Sequence, residues 1–561
     1  MESVDMVLAR EESALPLLQA GDQNHGQNQK GESRRWLQWM REARRIGYLA
    51  LPMLVASLSR FAVQVSSNMM VGHLPGVLPL SAAAIATSLA TVSGFSLLVS
   101  KAALLFLSSI MSVTPNIELV KQIGMASALE TLCGQAYGAK QYHKLGVHTY
   151  RAIFTLLIVC IPLSLLWLFM GKILVLLGQD PMISREAGRY IVWLIPGLFA
   201  IAVTQPIIRF LQSQSLVLVL LLSSFASAAV HVPLCYVMVF KTGLAYIGAA
   251  MSISISYWLN LCMLVAYIAF SGSCKETRTI PTMEALQLQG VDAFLRLALP
   301  SALMICLEWW SFELLILMSG LLPNPELQTS VLSICLTSTT LLFSIPYGLG
   351  AAGSTRVANE LGAGNPEGAR SAVRVVLSMA VLDGVIVAGA LFASRRLLGA
   401  AYSSEEEVIS FVAAMVPLVC ITVVTDALQG VLAGIARGSG WQELGAYVNL
   451  GSFYLIGIPT AILLGFVLNM GGRGFWMGVV CGSVTQTTLM SAITFSIDWP
   501  KMVRPSSDPL PILQYPWSQH KSCTYNCGPV QMHEFNGLAE KARERVFNEK
   551  PAETLSRGLL E

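Results

Sequence analysis

Twelve runs of about 20 mostly apolar residues recur along this chain, each as long as a helix that crosses a bilayer. They fall near 47–72, 80–98, 152–172, 190–210, 216–240 and 245–270, then near 293–322, 328–355, 371–394, 408–434, 443–468 and 474–496. Backbone in hydrocarbon must satisfy its own hydrogen bonds, which a helix does within one segment. The expected fold is an all-α polytopic membrane protein of about twelve transmembrane helices, six on either side of a polar linker at 271–292. Charged residues make up only 12% of the 561, against roughly a quarter in soluble domains, so most side chains face lipid or other helices. A net charge of +3 is too small to point to a nucleic-acid partner. The lipid bilayer is the expected surrounding.

The two ends are polar. Residues 1–46 carry seven acids and seven bases without the shape of a signal peptide, and read as a cytosolic tail. A second tail runs from 497 to 561. With both tails inside, the inner loops hold eleven Lys and Arg, the outer loops seven, and the tails fifteen more, the bias expected of a cytosolic face. Cysteines such as Cys160, Cys262, Cys306 and Cys420 sit within apolar runs and read as small packing residues.

The halves resemble each other, as in transporters built from repeats. Ala50-Leu51-Pro52 recurs as Ala298-Leu299-Pro300, an offset of 248. Gln135 and Gly138-Ala139 recur as Asn359 and Gly362-Ala363, and Gln205 as Gln429, all at an offset of 224. Six spans per half bring both halves into the membrane from the same side, so the repeat is parallel. The fall in offset marks extra residues in the first half, for which 99–123 is the candidate. Removing it joins Leu98 to Gly124 in one continuous helical pattern and nearly equalises the offsets. Val99-Ser100 is what a common intron start would encode in frame, so the segment reads as a retained intron. It is expected to protrude as a loop or hairpin, and the atypical 500–537 stretch reads as having the same origin.

Several strings identify a family. The seventh span holds Cys306-Leu307-Glu308-Trp309-Trp310-Ser311-Phe312-Glu313; Ile345-Pro346-Tyr347-Gly348 follows, then Ser354-Thr355-Arg356-Val357-Ala358-Asn359-Glu360-Leu361-Gly362-Ala363-Gly364-Asn365. The first half holds Glu130-Thr131-Leu132-Cys133-Gly134-Gln135-Ala136-Tyr137-Gly138-Ala139 and Gln212-Ser213-Gln214-Ser215. Together these closely resemble the plant branch of the multidrug and toxic compound extrusion (MATE) family, from about residue 36 to 499 apart from 99–123. The resemblance implies two pseudo-symmetric six-helix lobes, 47–270 and 293–496, around a central cavity. It also implies alternating access and export of organic solutes (cations, alkaloids, flavonoids) in exchange for protons, sodium being the lesser alternative. The membrane would be the plasma membrane or the vacuolar membrane, the protein a monomer without a cofactor.

A charge at mid-bilayer costs at least about 2.5–3.5 kcal/mol, so each one in a span needs a reason. Glu308 is the expected proton carrier, because a carboxyl away from water can hold a proton that water would remove; the plainer reading is a structural acid with a paired neighbour. Asp426, ahead of Gln429, matches the second acid of the family's cation site. Trp309, Trp310 and Tyr347 are candidates to line the cavity for aromatic or cationic substrates, or are packing alone. Arg60, which the 248 offset sets opposite Glu308, is a cavity candidate that either faces a polar crevice or snorkels. Asp383, Gly348, Gly350 and Gly353 are candidates for helix packing or gating. Glu313 lies about 140° around the helix from Glu308 and cannot share its direction.

Three other readings compete. A membrane-embedded enzyme would need clustered His or Asp at a membrane face, and seven His in all form none. A receptor or channel fits the parallel six-plus-six repeat less well than a transporter. A splice product of the same family with impaired transport fits the 99–123 segment. His520, Cys523, Cys527 and His533 have roughly zinc-ligand spacing, but the cluster is single and outside the resemblance, so no metal site is expected.

Overall fold

The computed structural model describes residues 26–503 apart from 75–81, 84–85, 87–124, 177–179, 280–282 and 403–404. The 99–123 segment, most of the second expected span, the 500–537 stretch beyond 503 and the zinc-like cluster lie outside these residues. Residues Met1–Arg45 form one compact unit and Ile46–Glu561 another. In the first unit, the described part is helical and Trp36 stacks on Trp39 at 5.3 Å between ring centres.

The described chain is helical nearly throughout. In order the main helices are α1 (Gly26–Gly72), α2 (Ala128–Gly138), α3 (Tyr142–Leu168), α4 (Pro181–Ser213), α5 (Val217–Phe240), α6 (Ala245–Phe270), α7 (Leu288–Ser319), α8 (Pro325–Leu342), α9 (Ser344–Gly362), α10 (Pro366–Ala393), α11 (Glu406–Ser439), α12 (Gln442–Asn449) and α13 (Gly471–Ser496). Ten segments among the described residues are long and apolar enough to cross a membrane. They cover every expected span except the second and the twelfth. The twelfth, α13, has the length but is less apolar, with Arg473, Gln486 and a run of Ser and Thr along it. After α12 the chain continues through wide π-type turns at Leu450–Gly457 and Leu463–Val467, a geometry often found beside functional groups.

Among the described residues two large apolar cores hold the bundle. One joins α1 to α6 and continues through Phe294, Leu297, Ala298, Ala302 and Cys306 of α7. The other begins at Leu315 of the same helix and runs to Val479. The change of partner therefore falls within α7, between Cys306 and Leu315, and Glu308 sits in that interval. The 271–292 connection is not a free tether. Tyr150 of α3 donates to the Thr279 carbonyl at 2.9 Å, and Thr277 donates to Gln214 at the end of α4 at 2.8 Å.

α2 and α9 meet closely. A Cβ on Gly138 would strike the Asn359 carbonyl, and one on Gly362 would strike that of Gln135. Only glycine at both positions allows such an approach. These four residues are the pairs related by the 224 offset, so the contact is reciprocal, as a two-fold pseudo-axis between α2 and α9 requires.

Candidate functional site

Helices of both halves line one cavity of about 210 Å³. From the first half come Ser57, Arg60, Phe61 and Gln64 of α1, Ile201 of α4 and Tyr257 of α6. Facing them are Met304, Ile305, Glu308 and Trp309 of α7, Thr340 and Leu341 of α8, Tyr347 of α9, and Gln429, Gly430, Ala433 and Arg437 of α11, with Phe343 and Ser344 at the α8–α9 junction. The walls are largely aromatic and aliphatic with a few convergent polar groups, the usual make-up of a small-molecule site.

Glu308 is half-buried and held by neutral donors. Its Oε2 accepts from Gln429 Nε2 at 2.7 Å and from Gln486 Nε2 at 3.3 Å. Gln486 also donates to Asn449 Oδ1 at 2.8 Å, and Asn449 donates to the Met304 carbonyl at 2.6 Å. Asn449 is the last residue of α12 before the wide turns, so the irregular stretch of the eleventh span begins at a group that orients the acid. Asp426 joins Glu308 in lining a smaller hollow with Trp309, Phe312, Thr339 and Phe343. Among the described residues, the buried Oε1 atoms of Gln429 and Gln486 have no hydrogen-bond partner.

A second buried acid has different company. Glu130 of α2 binds Arg209 of α4 at 2.9 Å through Oε1 and Arg437 of α11 at 3.1 Å through Oε2, all three side chains being under a tenth exposed. Arg209 also donates to Gln212 Oε1 at 2.7 Å and to the Tyr347 hydroxyl at 3.4 Å. Gln212 crosses to α9, donating to the Ala351 carbonyl at 3.1 Å and to Thr355 Oγ1 at 2.9 Å. The Thr131 hydroxyl donates to the Arg437 carbonyl, and Asn359 donates to that of Ser213 at 3.0 Å. Arg209, Gln212 and Ser213 lie in the last turns of α4 and Arg437 in the last turn of α11, whereas Glu130 and Thr131 lie in the first turn of α2 and Tyr347 in that of α9, so the halves are clasped where α4 and α11 end. Tyr347 and Arg437 belong to both clasp and cavity.

Several sequence expectations change on this geometry. Arg209 and Arg437, counted as loop charges, are buried within helices, as is Arg151 of α3. Setting these three aside leaves eight inner loop bases against seven outer, so the charge asymmetry rests on the tails. Trp309 lines the cavity, but Trp310 is one step of about 100° further around α7 and packs against the first-half core. Asp383 does not line the cavity; it lies on α10 beside the exposed Leu382 and Val385. Gly350 faces the Gly430 carbonyl of α11, Gly353 would meet Val376 of α10 at 3.2 Å, and Gly348 would meet the Ala50 carbonyl at 3.2 Å, all three at helix contacts. Asn449, Gln486 and the Glu130 clasp were not singled out as site residues. Uncharged amides inside apolar spans are the signal that finds the first two.

The MatE family model matches residues 102–237 and 300–463. Protein DETOXIFICATION 14 of Arabidopsis thaliana is 49% identical over 466 residues, covering 83% of this chain and 90% of that protein. DETOXIFICATION 10 of the same plant is 48% identical over 463 residues, covering 82% and 90%. The crystal structure of the eukaryotic MATE transporter AtDTX14 superposes with a TM-score of 0.75 at 46% identity, covering 91% of this chain and 99% of that one. An outward-facing multidrug resistance MATE transporter shares the fold, with a TM-score of 0.67 at 15% identity over 81% of this chain and 97% of that one.

Proposed function

Because this chain belongs to the multidrug and toxic compound extrusion family of integral membrane transporters, we propose that it exports small organic solutes from the cytosol in exchange for protons. The observation that carries the reading is the setting of Glu308 in the cavity between the halves, bonded to two neutral amides and, among the described residues, to no cation. Amide donors stabilise the anion. When the acid takes a proton it becomes a donor, and an amide that turns over presents its carbonyl oxygen instead. The partnerless Oε1 atoms of Gln429 and Gln486 supply that second role. Asp426 next to it allows one proton to be held in common by two carboxyls.

Alternating access follows from how the halves are joined. The clasp around Glu130 closes the end of the bundle where α4 and α11 finish, and the reading places that end at the cytosol with both tails. Release of the clasp then exposes the cavity inward, and Tyr347 and Arg437 communicate its state to the solute site. The membrane is the plasma or vacuolar membrane, and protons rather than sodium drive the cycle. Reconstitution with an imposed pH gradient tests the reading. Glu308→Gln is expected to reduce gradient-driven export at least tenfold while solute binding persists; full export by this variant at every pH overturns the assignment.

A further inference from the structure

Two arginines line the cavity, and their circumstances differ. Arg437 is bonded to Glu130. Among the described residues Arg60 has hydroxyl partners, Ser57 at 3.1 Å and Ser224 at 3.5 Å, and its buried Nε has none. Among the described residues no carboxylate lies within ion-pairing distance of it. Glu308, on the facing wall, is engaged by Gln429 and Gln486 instead. A guanidinium has five donors and is always charged, and the two hydroxyls, one on each terminal nitrogen, take two of those donors without neutralising it. Around it stand the rings of Phe61, Tyr257 and Tyr347. At about 210 Å³ the cavity is below the roughly 300–1,000 Å³ of drug-sized sites, so it suits a compact solute.

We infer that Arg60 is a specificity-determining residue that receives the carboxylate of a small aromatic organic acid as substrate. The guanidinium fork meets the carboxylate in two parallel hydrogen bonds, and the ring of the acid lies against the aromatic walls. This deepens the export reading and rests on it for the transport consequence, though not for binding. Exchange of one entering proton for one departing monoanion moves two charges per cycle, whereas exchange for a monovalent cation moves none. Export of an aromatic acid would therefore respond to membrane voltage as well as to pH.

The test uses two probes of equal skeleton and opposite charge, 3-phenylpropanoate and phenethylamine, on the purified full chain. At equilibrium the carboxylate is expected to bind about tenfold or more tightly than the amine. Arg60→Gln should erase that preference and Arg60→Lys should keep part of it. Equal or tighter binding of the amine by the unaltered chain overturns the inference, as does an undiminished carboxylate preference in Arg60→Gln. In proteoliposomes with clamped voltage, an inside-negative potential should accelerate outward movement of the carboxylate, and a rate blind to voltage counts against it. A carboxylate preference in binding with no gradient-driven movement of either probe would sink the export reading and leave this one standing. Gradient-driven movement of the amine alone would do the reverse.

Discussion

Glu130 and Glu308 are the same side chain in two kinds of surroundings. Glu130 has a guanidinium on each oxygen and lies under a tenth exposed between α2, α4 and α11. Its charge is fixed by its neighbours, and the residue acts as a joint between the halves. Glu308 has two amides and a second acid close by. Amides can serve either protonation state, so the same carboxyl there is free to change charge. The formal charge of the partners separates the two roles.

The sharpest way to break this contrast is to remove each charge in turn. Glu130→Gln leaves Arg209 and Arg437 facing each other without a counter-ion, and removing one partner of a buried ion pair costs about 3–5 kcal/mol. Thermal unfolding in detergent should show that loss, and adding Arg437→Gln should recover part of it in a double-mutant cycle. Glu308→Gln keeps the size of the side chain and an acceptor for the amides, so its stability should change by less than about 1 kcal/mol. If the two variants unfold alike, the distinction between joint and carrier fails.

Smaller effects sharpen the carrier side. Asp426→Asn should slow gradient-driven export severalfold, less than Glu308→Gln, since it removes the neighbouring acid and leaves the one bonded to Gln429. Asp383→Asn should leave the export rate within about twofold, because Asp383 lies away from the cavity on α10. A loss at Asp383 as large as that at Asp426 would place the proton route on α10 instead. Vesicle flux at matched protein content measures both.

What was legible in the sequence follows from which signals are one-dimensional. A spanning helix announces itself as 20 apolar residues in a row. The repeat announces itself as an offset, and the residues that revealed it, Gln135, Gly138, Asn359 and Gly362, proved to touch. Glu308, Trp309, Tyr347, Gln429 and Arg60 do share one cavity. The clasp was hidden because Arg209 and Arg437 sit at span ends, where a base ordinarily reaches water, and their partner is far away in sequence. Trp309 and Trp310 could not be told apart without the rotation of α7. Asn449 and Gln486 carry no charge to draw notice, and the wide turns after Asn449 lie inside a mostly apolar stretch.

The reciprocal touch of Gly138 on Asn359 and Gly362 on Gln135 has an ancestral consequence. A surface that matches its own copy is what a homodimer needs, so a half-length forebear would already have owned both sides of this contact before duplication and fusion joined them. The single chain keeps that inheritance at its axis, while Arg60 in one half and Glu308 in the other, related by the 248 offset, show how far the two copies have since diverged in chemistry.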